Sequence, residues 1–388
     1  MTHPSQPRAR RRPRAPGTAV VVAGVVTLLL VAPAGATSTA VAAPAVPAPS
    51  RAVPPVDVGP SDPSTVAALD RAVEASATLA MRGRLTVAAL GDGGPQVTTV
   101  EVARRADGRM RAIRQGAWEL GREDDGSYLR SERTGRLLEL GGVQAGTFDR
   151  TRFLERYRVA DRGYAEIDTG SARVVEVIDR SRGVVREILH LDEETGLVVR
   201  RETRDADGEP SRVVAYTSLV VDRDVRARPT EHEDDEAEQV ALDPVERRSL
   251  AERGLPASAE LPGGFVLLDA SEVRGTDLPT VHLVYGDGLY TLSVYVQEGR
   301  LARRATRQAV ELRTPHHDEV VWRWPGSEPR RIVWSGDRRT FTAVTDAPTG
   351  VLLAAVDGLP NDPATSTLGR MARGFSRVAD QLLPSSSD

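Results

Sequence analysis

The 388-residue chain contains no cysteine and no lysine. Without cysteine there are no disulfides, no thiolate metal sites and no cysteine nucleophile, and no lipid attaches through an N-terminal cysteine. All 51 basic residues are therefore arginine, which fits guanidinium forks chosen for phosphate or the codon usage of a GC-rich genome. Aromatics are scarce at 4%, so packing rests on Val, Leu and Ala within a hydrophobic share of 40%. A formal net charge of −4 lacks the basic excess of a nucleic-acid binder. Also missing are the Gly-x-Ser-x-Gly elbow, His-Glu-x-x-His, a Walker loop and a dinucleotide fingerprint. These absences favour a binding protein over an enzyme and imply no cofactor. The 55 acidic residues leave many glycosidase-type carboxylate pairings whose geometry a sequence does not show.

Two clusters look like metal sites at first sight. Neighbours in His316-His317-Asp318-Glu319 alternate faces on a strand, so the run supplies at most two convergent ligands. Asp205-Ala206-Asp207-Gly208 opens like a calcium loop, yet Tyr216 stands where the twelfth-position carboxylate belongs, so it reads as a turn.

Long apolar runs are confined to the N-terminus. Arg8, Arg10, Arg11, Arg12 and Arg14 precede a charge-free stretch, Ala19 to Val31, followed by Ala34-Gly35-Ala36 and Val41-Ala42-Ala43. A basic segment, a short apolar segment and an Ala-x-Ala site make a secretory signal over residues 1–43, cleaved or retained as a signal-anchor. Either way the remainder lies outside the cytoplasmic membrane. Pro-rich residues 44–60 form an extended linker.

Ser61-Asp62-Pro63 opens a helix with stripe Val66, Leu69, Val73 and Ala77, and Gly83 is read as its end. Strands follow at Arg84–Leu90 and Gln96–Arg104, and Asp-Gly and Thr-Gly turns punctuate shorter ones. A helical patch, Phe148 to Val159, buries Phe153, Leu154 and Tyr157. A meander then runs through Ala172–Asp179, Val184–Asp192, Gly196–Arg204 and Ser211–Val221, and several strands carry apolar residues on both faces. Residues 223–260 are highly charged, with Glu231-His232-Glu233-Asp234-Asp235-Glu236 at their centre, and read as a linker holding a short helix from Pro244 to Arg253. In residues 261–388, Gly286-Asp287-Gly288 turns a hairpin into the half-buried strand Tyr290–Gln297, and a final helix follows Asp362-Pro363. Trp322, Arg323 and Trp324 are candidates for a partner surface, or for the core of this small domain.

Two sets of residues carry a family resemblance. One is Val174-Val175-Glu176-Val177-Ile178 leading to Leu191-Asp192-Glu193-Glu194-Thr195-Gly196-Leu197-Val198-Val199-Arg200; the other pairs Leu261-Pro262-Gly263-Gly264-Phe265 with Tyr285-Gly286-Asp287-Gly288-Leu289. In order and spacing they resemble the MucB/RseB family of extracytoplasmic sigma-E factor regulators, from Val66 to Leu383. The N-terminal part is also similar to LolA-type lipoprotein carriers. The resemblance implies an α+β fold: a curved antiparallel sheet over residues 61–222, a LolA-like half-barrel closed by helices, plus a smaller α+β C-terminal domain. It implies a protein of the periplasm or cell envelope that binds the outer portion of a membrane-spanning anti-sigma factor, negatively controls an envelope-stress sigma factor, and is released by a lipidic ligand. The alternative is a lipid or lipoprotein carrier using the same sheet cavity. Alternation selects Leu85, Val87, Val100, Val102, Phe153, Val175, Val177, Leu189 and Leu191 as cavity lining, and the same alternation describes ordinary core packing.

Overall fold

The computed structural model describes residues 59–360 except 91–93, 115–117, 123–126, 132–136, 142–148, 223–237, 253–254, 256, 275–279, 300, 302–308, 315–316, 324–329 and 337. The N-terminal signal, the acidic run Glu231–Glu236, His316, Trp324 and the helix read after Asp362 lie outside the described residues.

The first described element is α1 (Pro63–Thr78). Asp62 caps it, its carboxylate accepting the Thr65 amide at 3.2 Å and the Thr65 hydroxyl at 2.9 Å, with Pro63 at a position where no amide is needed. Six strands follow: β1 (Met81–Ala89), β2 (Gln96–Arg104), β3 (Met110–Arg114), β4 (Trp118–Arg122), β5 (Ser127–Ser131) and β6 (Leu137–Gly141). After α2 (Arg150–Arg156) come β7 (Tyr157–Ile167), β8 (Gly170–Asp179), β9 (Val185–Asp192), β10 (Val198–Arg204) and β11 (Pro210–Val221). These form one 11-stranded antiparallel sheet in the order β6-β5-β4-β3-β2-β1-β11-β10-β9-β8-β7. Among the described residues its end strands, β6 and β7, do not pair, so the sheet is not closed into a barrel.

The meander matches its sequence reading nearly residue for residue, because each turn is fixed by local chemistry. Asp179 Oδ1 accepts the Ser181 amide at 2.9 Å and Asp192 Oδ1 accepts the Thr195 amide at 2.8 Å. Gly183 and Gly196 then take the positive φ that closes each turn. The loop at Asp205 is likewise a turn, its carboxylate accepting the Asp207 and Glu209 amides at 3.0 Å.

Two readings need correction. α1 stops at Thr78, not Gly83, because β2 supplies an external cap: Arg104 donates to the Ala75 carbonyl at 3.0 Å and to the Leu79 carbonyl at 2.6 Å. Gly83 belongs to β1, where a Cβ would collide with the backbone oxygen of Ser218. The patch read as helix to Val159 ends at Arg156, and Tyr157 starts β7, paired with Asp179 of β8. Because Arg104 is buried, Arg104→Met takes the guanidinium donors from the Leu79 carbonyl and leaves the Ala75 carbonyl only the Leu79 amide. It is expected to lower unfolding stability by about 2 kcal/mol, measured by urea denaturation.

The second half holds β12 (Glu238–Ala241), α3 (Pro244–Glu252), β13 (Glu260–Leu261), β14 (Phe265–Arg274), β15 (Thr280–Gly286) and β16 (Thr291–Glu298). It continues with β17 (Val310–Thr314), β18 (His317–Arg323), β19 (Arg330–Gly336), β20 (Arg339–Thr345) and α4 (Thr349–Val356). The sheet order is β12-β14-β15-β16-β20-β19-β18-β17, with β13 paired to β14. Part of the charged stretch read as linker is therefore a strand: Glu238–Ala241 pairs with Ser271–Arg274. α3 lies where the capping box placed it, with Asp243 Oδ1 accepting the Glu246 amide and Glu246 Oε2 accepting the Asp243 amide, both at 2.8 Å.

The two sheets share one core. Val66 and Leu69 of α1, Val175 and Val177 of β8, and Leu189 and Leu191 of β9 cluster with Leu283, Tyr285, Leu292, Trp334 and Phe341 of the second sheet. A second cluster under β1–β4 gathers Ala75 at the end of α1 with Leu85, Val87, Val100, Val102 and Leu120. No helix among the described residues is long and apolar enough to cross a membrane.

Candidate functional site

The nine residues selected by alternation are all buried, in two groups. Leu85, Val87, Val100 and Val102 pack in the β1–β4 cluster, whereas Phe153, Val175, Val177, Leu189 and Leu191 pack in the core shared with the second sheet. Both groups face the side of the first sheet that α1 occupies. Trp322 and Arg323 lie at the end of β18, paired with Val333 and Ile332, and Trp324 falls outside the described residues.

What the sequence reading missed is a polar junction between the sheets, built from the turns at one end of the second sheet. In the β15–β16 turn, Asp287 is 0% exposed. Its Oδ1 accepts the amides of Leu289 at 2.9 Å and Tyr290 at 2.8 Å, as a turn aspartate does. Its Oδ2 points the other way, accepting the Tyr157 hydroxyl at 2.7 Å and standing 3.5 Å from Arg156 Nε. Arg156 ends α2 and Tyr157 begins β7, so one carboxylate ties the second sheet to the helix–strand corner of the first. Burial raises the Asp287 pKa, against the lowering effect of its hydrogen bonds and of Arg156. Burial would lower the Arg156 pKa, but Tyr157 and Asp287 outweigh it and the net direction is up.

A second connection lies on β10. Arg201 grips Glu187 of β9 with two bonds, Nε to Oε2 at 2.9 Å and Nη2 to Oε1 at 3.0 Å. Its Nη1 donates to Asp346 Oδ2 at 3.0 Å, just beyond the end of β20. All three side chains are buried, and the guanidinium carbon also sits 5.8 Å from the centre of the Tyr290 ring. Burial alone would lower the Arg201 pKa, but Glu187 and Asp346 raise it overall. The backbone around Asp346 is secured in turn: Arg330 donates to the Ala347 carbonyl at 3.0 Å, and Thr345 to the Thr291 carbonyl at 2.6 Å.

Close backbone approach explains two glycines here. Gly288 has φ 95° and a Cβ on it would stand 2.8 Å from Phe153 Cα and N, so the turn lies against the backbone of α2. Gly264, with φ 77°, faces the Arg156 guanidinium where a Cβ would collide. The signal for both was present in Leu-Pro-Gly-Gly-Phe and Tyr-Gly-Asp-Gly-Leu. Glycine and aspartate in a turn explain themselves locally, however, and nothing in that spacing shows what the turn leans on. The strand after it is buried on both faces rather than half-buried, since Thr291 and Ser293 are covered as well as Leu292 and Val294.

The arrangement holds two sheets in a fixed relation through side chains of opposite charge. It presents no nucleophile–base pair, and no group of three or more His, Cys, Asp or Glu that could hold a metal occurs among the described residues.

No protein-family description matches the chain, and no curated protein does. Among solved structures it is similar to a chain of the Pseudomonas aeruginosa MucA/MucB complex, with 21% identity, a TM-score of 0.46, and coverage of 78% of this chain and 100% of that one. A crystal structure of MucB gives 20% identity over the same shares, also at TM-score 0.46. The Mycobacterium tuberculosis lipoprotein LppX covers 42% of this chain and 96% of its own, at 16% identity and TM-score 0.30. A LolA superfamily protein from Nitrosomonas europaea covers 42% of this chain and 94% of its own, at 12% identity and TM-score 0.22. The solved structures to which this chain is similar thus include MucB and a LolA superfamily protein, the two resemblances that its motifs carry.

Proposed function

We propose that the protein is an extracytoplasmic regulator that binds the outer portion of a membrane-spanning anti-sigma factor and so restrains an envelope-stress sigma factor. One observation carries the reading. The residues by which the sequence resembles the MucB/RseB family, Gly264 of one motif and Asp287 and Gly288 of the other, meet on the same corner of the first sheet, at Phe153, Arg156 and Tyr157. They are the junction that makes one binding body of two sheets. MucB is solved in complex with MucA, and a partner of that kind would engage this body. On this reading residues 1–43 export the protein, 44–60 are a spacer, and the Trp322–Arg323–Trp324 segment belongs to the partner surface.

The same reading includes release by a lipidic ligand. The nine buried residues sit under α1, so a lipid that occupies their place binds a conformation in which α1 has moved. Such a ligand weakens the partner only by its differential affinity for the two conformations. Pull-down with the tagged full chain from detergent-solubilised membranes of the source organism, read by mass spectrometry, is expected to recover a single-span protein with an anti-sigma cytoplasmic domain. Recovery of lipid or lipoprotein without such a partner replaces this reading with the carrier one. Lipid extract that leaves partner affinity unchanged removes the release step alone.

A further inference from the structure

The face of the first sheet turned away from α1 carries a groove of about 770 Å³ across β11, β1, β2 and β3. The strand register lays its walls out in two rows. In one, Val220 stands beside Arg82, Arg82 beside Ala103, and Ala103 beside Arg111. In the other, Arg84 stands beside Glu101 and Glu101 beside Ile113. Arg82 and Arg111 thus face each other over an alanine, two strand spacings or about 10 Å apart. Arg84 and Glu101 are 3.9 Å apart and more than half exposed, a pair worth little in water. Arg111 is anchored on Glu119 at 2.6 Å, which fixes its position. Val220 at one corner is 47% exposed, and Ile113 is only half-buried at the opposite corner.

We propose that this groove is a docking site for an extended acidic peptide, with a carboxylate side chain held over Ala103 between Arg82 and Arg111 and an apolar side chain two residues to either side. Charge complementarity selects the central residue: the floor is small and flanked by guanidiniums that match a carboxylate. Spacing selects the flanks. Val220 and Ile113 stand at opposite corners, three strand spacings across the sheet and two residues apart along it, about 16 Å; side chains i and i+4 of an extended peptide leave one face about 13 Å apart and reach both corners by splaying outward. A single acyl chain fits worse, because the two apolar corners are separated by the charged middle and form no continuous apolar lining. The assignment does not depend on whether the protein's partner is an anti-sigma factor.

The test uses the full chain and an array of pentapeptides whose central residue is Glu, Ala or Lys and whose other positions are randomised. Peptides with central Glu and apolar first and fifth positions are expected to be retained at least about tenfold over central Lys, with retention falling as salt rises. Arg82→Glu, on an exposed strand position, and Ala103→Leu, which fills the floor, are each expected to abolish that preference while thermal unfolding of the chain is unchanged for Arg82→Glu. Equal retention of central Glu and Lys, or a preference that survives Arg82→Glu, overturns the site. Retention of phosphatidylglycerol vesicles in place of any peptide, lost in Arg82→Glu, overturns it in favour of a lipid anion. Peptide binding that emerges only when Glu233, Asp234 and Asp235 are neutralised overturns it in favour of the chain's own acidic run.

Discussion

Arg201→Met is expected to lower unfolding stability by about 3–5 kcal/mol, because it leaves two buried carboxylates without their common counter-charge. Glu187 and Asp346 are both fully covered, and Arg201 reaches both with bonds of 2.9 to 3.0 Å. Methionine keeps most of the side-chain length and none of the charge, so packing loss contributes little. The comparison that separates charge from shape is the triple variant Arg201→Met, Glu187→Leu, Asp346→Asn. Removing every member of a buried ionic group often leaves stability unchanged or improved, since desolvation of three charges is avoided along with their attraction. Guanidinium denaturation of the three proteins should therefore show a large loss in the single variant and recovery of most of it in the triple one. A single variant within about 0.5 kcal/mol of the parent would mean that water reaches these carboxylates and that the connection between β10 and the end of β20 is not a dry one.

Replacing Asp287 is the second large effect. Asp287→Ala strips acceptors from the Leu289 and Tyr290 amides and from the Tyr157 hydroxyl, and leaves Arg156 facing an empty space. A loss of about 3–4 kcal/mol is expected, while Asp287→Asn, which keeps the shape and one accepting oxygen, should lose about 1 kcal/mol. The two proteins also separate by pH. Burial raises the folded-state pKa of Asp287 above that of the unfolded chain. Its protonation therefore contributes stability that is fully present below the unfolded value, about 3.9, and is lost as pH rises through the folded pKa. Relative to Asp287→Asn, the parent is expected to lose stability as pH climbs from below 4, and to level off once the native carboxyl is ionised. A parent that gains on the asparagine variant over that window would show that Tyr157, Arg156 and the turn amides outweigh burial.

The first sheet was legible for reasons that are local. Asp179, Asp192 and Asp205 each write their own turn, and the alternation between them fixes which residues face inward, so β8 to β11 could be read almost to their ends. Asp62 and Pro63 likewise announce the start of α1. Its stop was misread because the cap comes from Arg104, a residue 25 positions beyond Leu79, and no local signal records that. β7 was missed for a similar reason: Tyr157 to Ile167 is a strand because β8 is beside it.

The candidate junction was the least legible part, although Phe153, Tyr157, Gly264, Asp287 and Gly288 stand out in the sequence and only Arg156, Glu187, Arg201 and Asp346 do not. Turn chemistry alone accounts for Gly286-Asp287-Gly288, and only half of the Asp287 carboxylate is used by the turn; the other half is spent on Tyr157 and Arg156, 130 residues earlier in the case of Tyr157. Glu187 and Arg201 likewise look like surface residues of a meander until Asp346 is placed beside them. The sequence by itself determined where the strands and turns lie and which face of each strand is apolar, because those follow from periodicity and from side chains bonding their own backbone. Only the tertiary structure decided that the two sheets share a core and that buried charges connect them, because a charge becomes a structural partner through what excludes water around it, and that is set by residues far away in the chain.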